Sequence, residues 1–369
     1  MRKTLLLFLF FCLFSAGARA GEPTTDHLTV SDLQVDGNDH FFVVSLSGSR
    51  IYTAYNMDIH LPQGITPLID EGIVQVYLSD EDGMYPYTGR GNNRTYQHTI
   101  GATWEKAGER TLRVVCTGGA TNAELKETAG ELFTVFVNVS PYAKAGSNTV
   151  GIDKINLIEK EDARQWDPAS EEHTFNVGSE RSIKVNIAQA NQWSTCVLPF
   201  ASALPQGVQA YGCGETRGDY LVLSEAGQME AYTPYILYAG QGYSGTLTGS
   251  ADGTRYTEVA EAGYLRGAIV AQQVNEGYVL QNQGSGAKFY NVQGETFAIP
   301  EGRCWLTADG GQARAAYALA GGDAAAIGNV DAPTAHKAET VRDLQGRPVA
   351  TPQPGRIYIV EGRKMLKIK

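Results

Sequence analysis

The sequence predicts an all-β protein with two β-sandwich or jelly-roll-like domains and a small C-terminal β-hairpin segment. Short runs of apolar and polar residues alternate with a period of two, which indicates strands with one buried face. In 55–61, for example, Tyr55, Met57 and Ile59 fall on one face, and Asp58 and His60 fall on the other. Clusters of Gly, Pro, Asn and Asp separate the runs, and this spacing of turns is typical of a sandwich.

The strand runs of the first domain follow one another with these turns between them. They are 40–47, 55–61, 73–79, 110–116, 132–139 and 149–158. The run 131–139 carries apolar residues on both faces, so we expect a central strand that is covered on both sides. Only 122–131 has a helical pattern, of one or two turns. The second domain shows further strand runs between turns such as "LPQG" and "SADGT".

This pattern divides the chain into five segments, with boundaries where composition changes. They are a signal peptide (1–20), a first sandwich (23–177), a second β-rich domain (181–319), a linker (320–339) and a hairpin tail (340–369). The linker has almost no large apolar residues and is rich in Ala, Gly and Asp. Such a composition cannot bury a core, so we expect an unstructured connection.

The N-terminal segment predicts export. Arg2 and Lys3 precede an apolar run from Leu5 to Phe14, and Ala18-Arg19-Ala20 matches a cleavage site. The apolar run is too short to span a bilayer, so the mature chain is expected at the cell surface (attached to the outer membrane) or secreted, and not transmembrane. Without residues 1–20, 27 basic and 40 acidic residues remain, a formal charge of −13. This charge argues against a nucleic-acid partner.

The cysteines and catalytic motifs give no sign of an enzyme. Cys116 lies on an apolar strand face and is interpreted as a small buried residue, whereas pairing among Cys196, Cys213 and Cys304 stays open. There is no metalloprotease helix motif, phosphate loop or nucleophile elbow, so we expect a non-catalytic protein without a cofactor.

Two groups of residues are candidate metal sites, and neither is favoured. Asp58 and His60 share a strand face, which would hold a metal only with a third ligand from a neighbouring strand; a solvated polar face is the simpler interpretation. The run Asp80-Glu81-Asp82 precedes Gly83, but it lacks the alternating ligands and distal Glu of a calcium loop. We therefore expect an acidic turn and no metal.

The candidate binding residues lie in the stretch 84–96, which combines aromatic and planar polar side chains. They are Tyr85, Tyr87, Arg90, Asn92, Asn93 and Tyr96, with Arg94 among them. Sugars stack on exposed aromatic faces while neighbouring polar groups bind their hydroxyls. Loops on rigid sandwiches often carry such sites. The sequence thus predicts a recognition loop here; an ordinary surface loop is the alternative.

The tail is basic, with seven Lys or Arg residues and two acidic ones, about +5. Ile357 to Val360 form one strand run, Glu361-Gly362 is a two-residue turn, and a second run follows. A segment of some 29 residues cannot bury enough surface to be stable alone. We therefore expect the tail to dock, either on the second domain or on a receptor.

Three resemblances accompany these patterns. The segments "AYNMDIHLPQGI" and "TAGELFTVFVNVSPYAKAGSNTVGIDKINLIE" resemble the cohesin-like sandwich of bacterial surface adhesins and cellulosomes, whose members bind dockerins. The marks "WSTCVLPF" and "YTPYILYA" of the second domain look like a β module of surface proteins in bacteria with type IX secretion. The tail resembles the end of a type IX (Por) C-terminal sorting domain. Its matching positions include Asp343, Leu344, Gly346, Gly355, Ile357, Tyr358, Gly362 and Lys364, while Arg342 stands where an aromatic is usual.

The resemblances imply an exported adhesin-type protein that binds an extracellular glycan or protein through its first domain. The sorting-like tail implies a second partner, the secretion and sorting machinery. The alternative is a structural component of a surface assembly, which has no soluble ligand and instead associates with copies of itself.

Overall fold

The structure is a computed structural model of the whole chain. It describes residues 21–79, 83–89, 95–105, 110–189, 192–217, 220–282, 287–292, 294–307, 316–318, 341–349, 351–353, 355–360 and 363–367. The predicted signal peptide, 1–20, and the whole of the predicted linker, 320–339, lie outside these residues. The chain divides into two compact units, Met1–Val177 and Gly178–Lys369. In the described part of the chain, no helix is long and apolar enough to cross a membrane.

The described residues form strands and three short 3-10 turns, so the all-β prediction is confirmed. The strands of the first unit are β1 (Glu22–Pro23), β2 (His27–Val30), β3 (Gln34–Asp36), β4 (Asp39–Ser47), β5 (Ala54–His60), β6 (Ile65–Pro67), β7 (Ile69–Asp70), β8 (Ile73–Val74), β9 (Val76–Leu78), β10 (Tyr87–Thr88), β11 (Thr95–Tyr96), β12 (Thr99–Glu105), β13 (Thr111–Thr117), β14 (Ala129–Val139), β15 (Gly146–Ile158), β16 (Gln165–Asp167) and β17 (Glu171–Val177). The 3-10 turns are Gly119–Thr121, Glu161–Ala163 and Gly253–Arg255.

Two sheets make the first unit a sandwich. The first sheet has the order β1-β16-β15-β5-β13-β12, with β17 also paired to β15. The second has the order β2-β4-β14-β6, with β3 on β4 and β9 on β14. Both sheets contribute side chains to one core, including Met57 and Ile59 of β5 and Val135 and Val137 of β14. The alternation that predicted β5 thus places its apolar face in that core.

The prediction of helical turns in 122–131 is wrong. Residues 122–128 are irregular and β14 begins at Ala129. Leu125 is buried, and its N–H donates to the carbonyl of Tyr52, while the N–H of Lys126 donates to Met84. These long-range hydrogen bonds replace the local ones that a helix needs, so the tertiary contacts outweigh helix propensity.

The second unit contains β18 (Glu180–Ile187), β19 (Trp193–Cys196), β20 (Ser202–Ala203), β21 (Gln209–Arg217), β22 (Tyr220–Ala226), β23 (Gln228–Met229), β24 (Tyr235–Tyr238), β25 (Tyr243–Ser250), β26 (Val259–Ala262), β27 (Leu265–Ala268), β28 (Gln272–Val274), β29 (Tyr278–Asn282), β30 (Ala287–Asn291), β31 (Phe297–Ile299), β32 (Cys304–Leu306), β33 (Ala316–Ala318), β34 (Val341–Arg342), β35 (Ile357–Val360) and β36 (Arg363–Lys367). Its larger sheets are β19-β24-β21-β22-β36-β35-β34 and β26-β27-β32-β29-β30-β33. Side chains of both sheets meet in one apolar cluster that includes Tyr211, Leu223 and Phe289.

The tail is part of this unit. β36 pairs with β22 in antiparallel register, from Tyr220↔Lys367 to Leu223↔Lys364, and β35 pairs with β36 as the predicted hairpin. The sequence left two docking partners open for the tail, the second domain and a receptor. In the structure, the tail docks on the second domain.

Candidate functional site

The predicted recognition stretch forms a two-stranded hairpin. Tyr87 of β10 faces Tyr96 of β11 in antiparallel register. Tyr87 is 40% exposed, and the Lys126 ammonium lies 5.1 Å from the centroid of its ring. The predicted polar partners Arg90, Asn92, Asn93 and Arg94 lie outside the described residues. Tyr87 and Tyr96 therefore remain candidates at the base of this hairpin.

Tyr85 does not belong to an exposed loop, and that prediction is corrected. Its side chain is 1% exposed, and its hydroxyl donates to the carbonyl of Leu132 at 2.7 Å. The hydroxyl of Tyr55 lies 2.7 Å away, and burial raises the pKa of Tyr85 well above its usual value. Its role is to satisfy a backbone carbonyl inside the core, because a buried polar group needs such a partner.

The side chains of Asp58 and His60 both form hydrogen bonds with other side chains of the first unit. Asp58 is 1% exposed, although it lies on the polar face of β5. The Arg113 guanidinium donates to both of its carboxylate oxygens at 2.7 Å, and the Lys154 ammonium donates at 3.1 Å. Burial alone would raise the pKa of Asp58, but these hydrogen bonds and charges outweigh burial and lower the pKa. The solvated-face interpretation is therefore corrected too, since Asp58 is a buried, paired carboxylate.

His60 belongs to the same polar face. Its Nε2 lies 2.8 Å from Asp153 Oδ1, and its Nδ1 lies 3.2 Å from Thr111 Oγ1. The described residues contain no group of three or more His, Cys, Asp or Glu side chains that would hold a metal ion. The acidic run Asp80, Glu81 and Asp82 lies outside the described residues.

A second aromatic group, which the sequence analysis did not single out, lies on the outer side of the β4-β14-β9 sheet. We call Phe41, Phe136 and Tyr77 the aromatic row. The ring centroids of Phe41 and Phe136 are 5.5 Å apart, and those of Phe136 and Tyr77 are 5.7 Å apart. Tyr77 is 53% exposed, and Phe41 and Phe136 are half-buried. The row therefore presents apolar rings to solvent on a rigid sheet.

Neutral amides flank the aromatic row. The hydroxyl of Tyr77 donates to the side-chain carbonyl of Gln75, which fixes the ring. Gln34 is the antiparallel partner of Phe41 and shares its face, and Asn138 lies two residues beyond Phe136 on the same face. Gln34 and Asn138 are exposed. Aromatic rings and planar amides are thus combined here, as was expected of the loop.

A β-bulge explains why the sequence pattern did not isolate Phe136. The register of β14 against β4 shifts between Glu131 and Phe133, so Leu132 and Phe133 are both buried in the core. Beyond the bulge, Val135 and Val137 continue the inner face, and Phe136 is on the outer one. The strand is central in its sheet as expected, since β14 pairs with β4 and also with β6 and β9. The expectation that both of its faces are covered is wrong, because the Phe136 side chain is half-exposed.

The tail residues that carry the sorting resemblance have structural roles in the described part of the chain. Asp343 accepts hydrogen bonds from the backbone N–H groups of Gln345 and Arg347, and Gly346 has φ +79°, so this turn needs glycine. Leu344, Ile357 and Leu366 pack in the cluster of the second unit.

The remaining tail residues complete the hairpin. Tyr358 is 4% exposed, and its hydroxyl accepts from the N–H of Gln353 at 2.8 Å. Gly355 also has a positive φ, 79°. Lys364 Nζ donates to the Tyr211 hydroxyl at 3.1 Å. Gly362 lies outside the described residues.

All four cysteines in the described residues are buried free thiols: Cys116, Cys196, Cys213 and Cys304. Burial raises the pKa of Cys116, Cys196 and Cys213 to about 12. The pairing that the sequence left open among the last three is absent from the structure, and the thiols act as small core side chains.

Comparison with known proteins identifies similar solved structures and no sequence relative. No family model matches the chain, and no curated protein matches it. A cohesin in a type I cohesin–dockerin complex of Clostridium thermocellum is 8% identical, with a TM-score of 0.30, and the alignment covers 43% of this chain and 98% of that one. A non-cellulosomal cohesin of Archaeoglobus fulgidus is 15% identical, with a TM-score of 0.29 and coverage of 42% and 93%. The type II cohesin dyad of a scaffoldin from Acetivibrio cellulolyticus is 10% identical, with a TM-score of 0.27 and coverage of 76% and 97%.

Proposed function

We propose that this chain is an exported, non-catalytic binding protein that recognises a neutral glycan through the aromatic row of its first unit. The observation that carries the proposal is the exposed row itself, Tyr77 with Phe136 and Phe41. Among the described residues, the exposed large hydrophobic side chains all belong to the first unit, namely Val35, Ile69, Ile73, Tyr77 and Tyr87. Exposed side chains that lie singly carry no such meaning, whereas contiguous apolar rings, such as those of the aromatic row, mark surfaces that contact another molecule.

The chemistry of the row favours a sugar. Ring faces take the apolar C–H side of a pyranose, while amides such as Gln34 and Asn138 donate and accept hydrogen bonds with hydroxyls. The opposite sheet is charged, because Asp58, Arg113 and Lys154 meet on its outer side. The Asp58 carboxylate on that face is buried and already paired with Arg113 and Lys154. It is therefore less available to contact a ligand than the rings of the aromatic row are.

Binding arrays test this proposal with three forms of the full chain. The native chain and the Tyr87→Ala control should bind the same neutral glycans, whereas Tyr77→Ala should bind at least about tenfold more weakly, a loss of about 1.4 kcal/mol. Tyr87 is a suitable control because it is an exposed tyrosine outside the row. Loss of binding in Tyr87→Ala alone would move the site to the β10–β11 hairpin. Binding to extracellular proteins but to no glycan would refute the proposed ligand class.

Export and delivery to the cell surface complete the proposal. They rest on residues 1–20 and on the resemblance of the tail to a sorting signal. Deleting 341–369 is a poor test, because Ile357 and Leu366 pack in the core of the second unit. An exposed residue at a position of the sorting resemblance gives a cleaner one: Arg347→Ala should retain the fold, because Arg347 is exposed, and should reduce the fraction of the protein that reaches the surface of cells that produce it. An unchanged surface fraction would leave the tail with a structural role only.

A further inference from the structure

The tail is joined to the rest of the second unit through one sheet edge. Among the described strands, β36 pairs with β22, while β35 pairs with β36 and β34 pairs with β35. The contact between tail and unit is thus a strand added to the edge of β22. Removing the tail would leave β22 as an unpaired edge, which is a template for another strand.

The contacts at this edge are specific. Ile357 is 5% exposed and Leu366 is 1% exposed, and both pack in the cluster that contains Tyr211 and Leu223. Lys364 Nζ donates to the Tyr211 hydroxyl at 3.1 Å and lies 3.4 Å from Glu225 Oε2. The side chain of Lys364 is 20% exposed and that of Glu225 is 54% exposed. The edge of β22 therefore recognises this tail by a strand register, two apolar side chains and one ion pair.

The length of the connecting chain allows the same contacts to form between two molecules. Residues 319–340 join β33 to β34, and 22 residues span at most about 75 Å when fully extended. Every contact between the tail and β22 is the same whether the tail comes from its own chain or from a second copy. Exchange of identical elements is therefore a low-cost route to a dimer.

We propose that the edge of β22 is a strand-acceptor site, and that the tail of a second copy of this chain occupies it in a reciprocally exchanged dimer. The tail of one molecule pairs with β22 of its partner, and the partner's tail pairs in return. The intramolecular arrangement dominates in dilute solution, since a linked partner has an effective concentration of about 1 mM. The exchanged form is favoured where copies are crowded.

Opposite charge reversals in two full-length variants test the exchange. In Lys364→Glu, residues 364 and 225 are both acidic, and in Glu225→Lys they are both basic, so each variant weakens its own tail contact. In a mixture of the two variants, the acidic tail of the first pairs with the basic acceptor strand of the second, and the basic tail of the second pairs with the acidic acceptor strand of the first. Both exchanged contacts therefore join opposite charges. The matched control is the double variant Lys364→Glu/Glu225→Lys, which restores opposite charges within one chain.

Light scattering after size exclusion gives the outcome. The mixture should dimerise at a concentration at least about tenfold lower than either variant alone. At that concentration, well below about 1 mM, the double variant should remain monomeric like the native chain. A mixture that remains as monomeric as its components overturns the proposal. If a variant fails to fold, the native chain decides: at about 1 mM it should contain dimer, and a fully monomeric native chain also overturns the proposal.

Discussion

Replacing Leu366 with alanine tests whether the tail is a structural strand of the second unit. The Leu366 side chain is 1% exposed and packs with Ile357, Tyr211 and Leu223. Buried Leu→Ala substitutions cost about 2–5 kcal/mol, and a hairpin at the end of a sheet relaxes more easily than a central strand. We therefore expect the second unit to lose about 2–3 kcal/mol of its free energy of unfolding.

The assay needs a signal that comes from the second unit alone. Trp193 and Trp305 lie in that unit, whereas Trp104 and Trp166 lie in the first. Guanidinium unfolding in a Trp104→Phe/Trp166→Phe background therefore reports on the second unit by fluorescence. Arg356→Ala is the matched control, because Arg356 is an exposed tail residue, and its cost should remain below about 0.5 kcal/mol. If Leu366→Ala costs no more than Arg356→Ala, the tail does not contribute to the core as described.

Three further predictions concern buried polar groups. Burial lowers the pKa of His98, with a smaller opposing effect from the Thr53 backbone. The folded state then binds fewer protons than the unfolded state, so the first unit should lose stability as pH falls through about 6.5. In His98→Phe, the free energy of unfolding should differ less between pH 7.5 and pH 5.5 than it does in the native chain. The pKa of Asp58 is lowered, so its contribution to the stability of the first unit should be present above the unfolded-state pKa and be lost as pH falls below 3.8. Asp58→Asn should destabilise the first unit by about 1–3 kcal/mol at pH 7. Urea unfolding of this variant should also show a smaller loss of stability in acid than the native chain shows. The four thiols that the structure shows as buried, those of Cys116, Cys196, Cys213 and Cys304, should resist a thiol reagent at pH 8 until the protein is unfolded. Rapid reaction of any of these four in the native protein would contradict their burial.

The sequence predicts features that depend on local periodicity. The alternation in 55–61 gives the inner face of β5 correctly, and the predicted hairpin of 357–367 is present in the structure. Period-two patterns carry this information, because the side chains of a strand alternate between faces whatever the fold.

Long-range contacts explain what the sequence does not show. Asp58 can be buried because Arg113 and Lys154 pair with its carboxylate. These two residues lie 55 and 96 residues further along the chain, on other strands. The aromatic row joins β4, β9 and β14. The bulge at Leu132 interrupts the alternation of apolar and polar residues in β14, so the sequence pattern does not show that Phe136 lies on the outer face. Nothing local in the sequence specifies a bulge or a partner strand. The sequence pattern therefore points to the tyrosines of 85–96, which lie near one another in the chain, and not to the aromatic row.

The proposed function depends most directly on contact between the ligand and the aromatic row. Carbon-13 labelled tyrosine in the full chain gives separate ring signals for Tyr77 and Tyr87, which Tyr77→Phe and Tyr87→Phe variants assign. Titration with a panel of soluble neutral oligosaccharides should shift the Tyr77 signal with at least one of them and leave the Tyr87 signal unchanged. An unchanged Tyr77 signal across the whole panel, or a shift confined to Tyr87, would contradict the account.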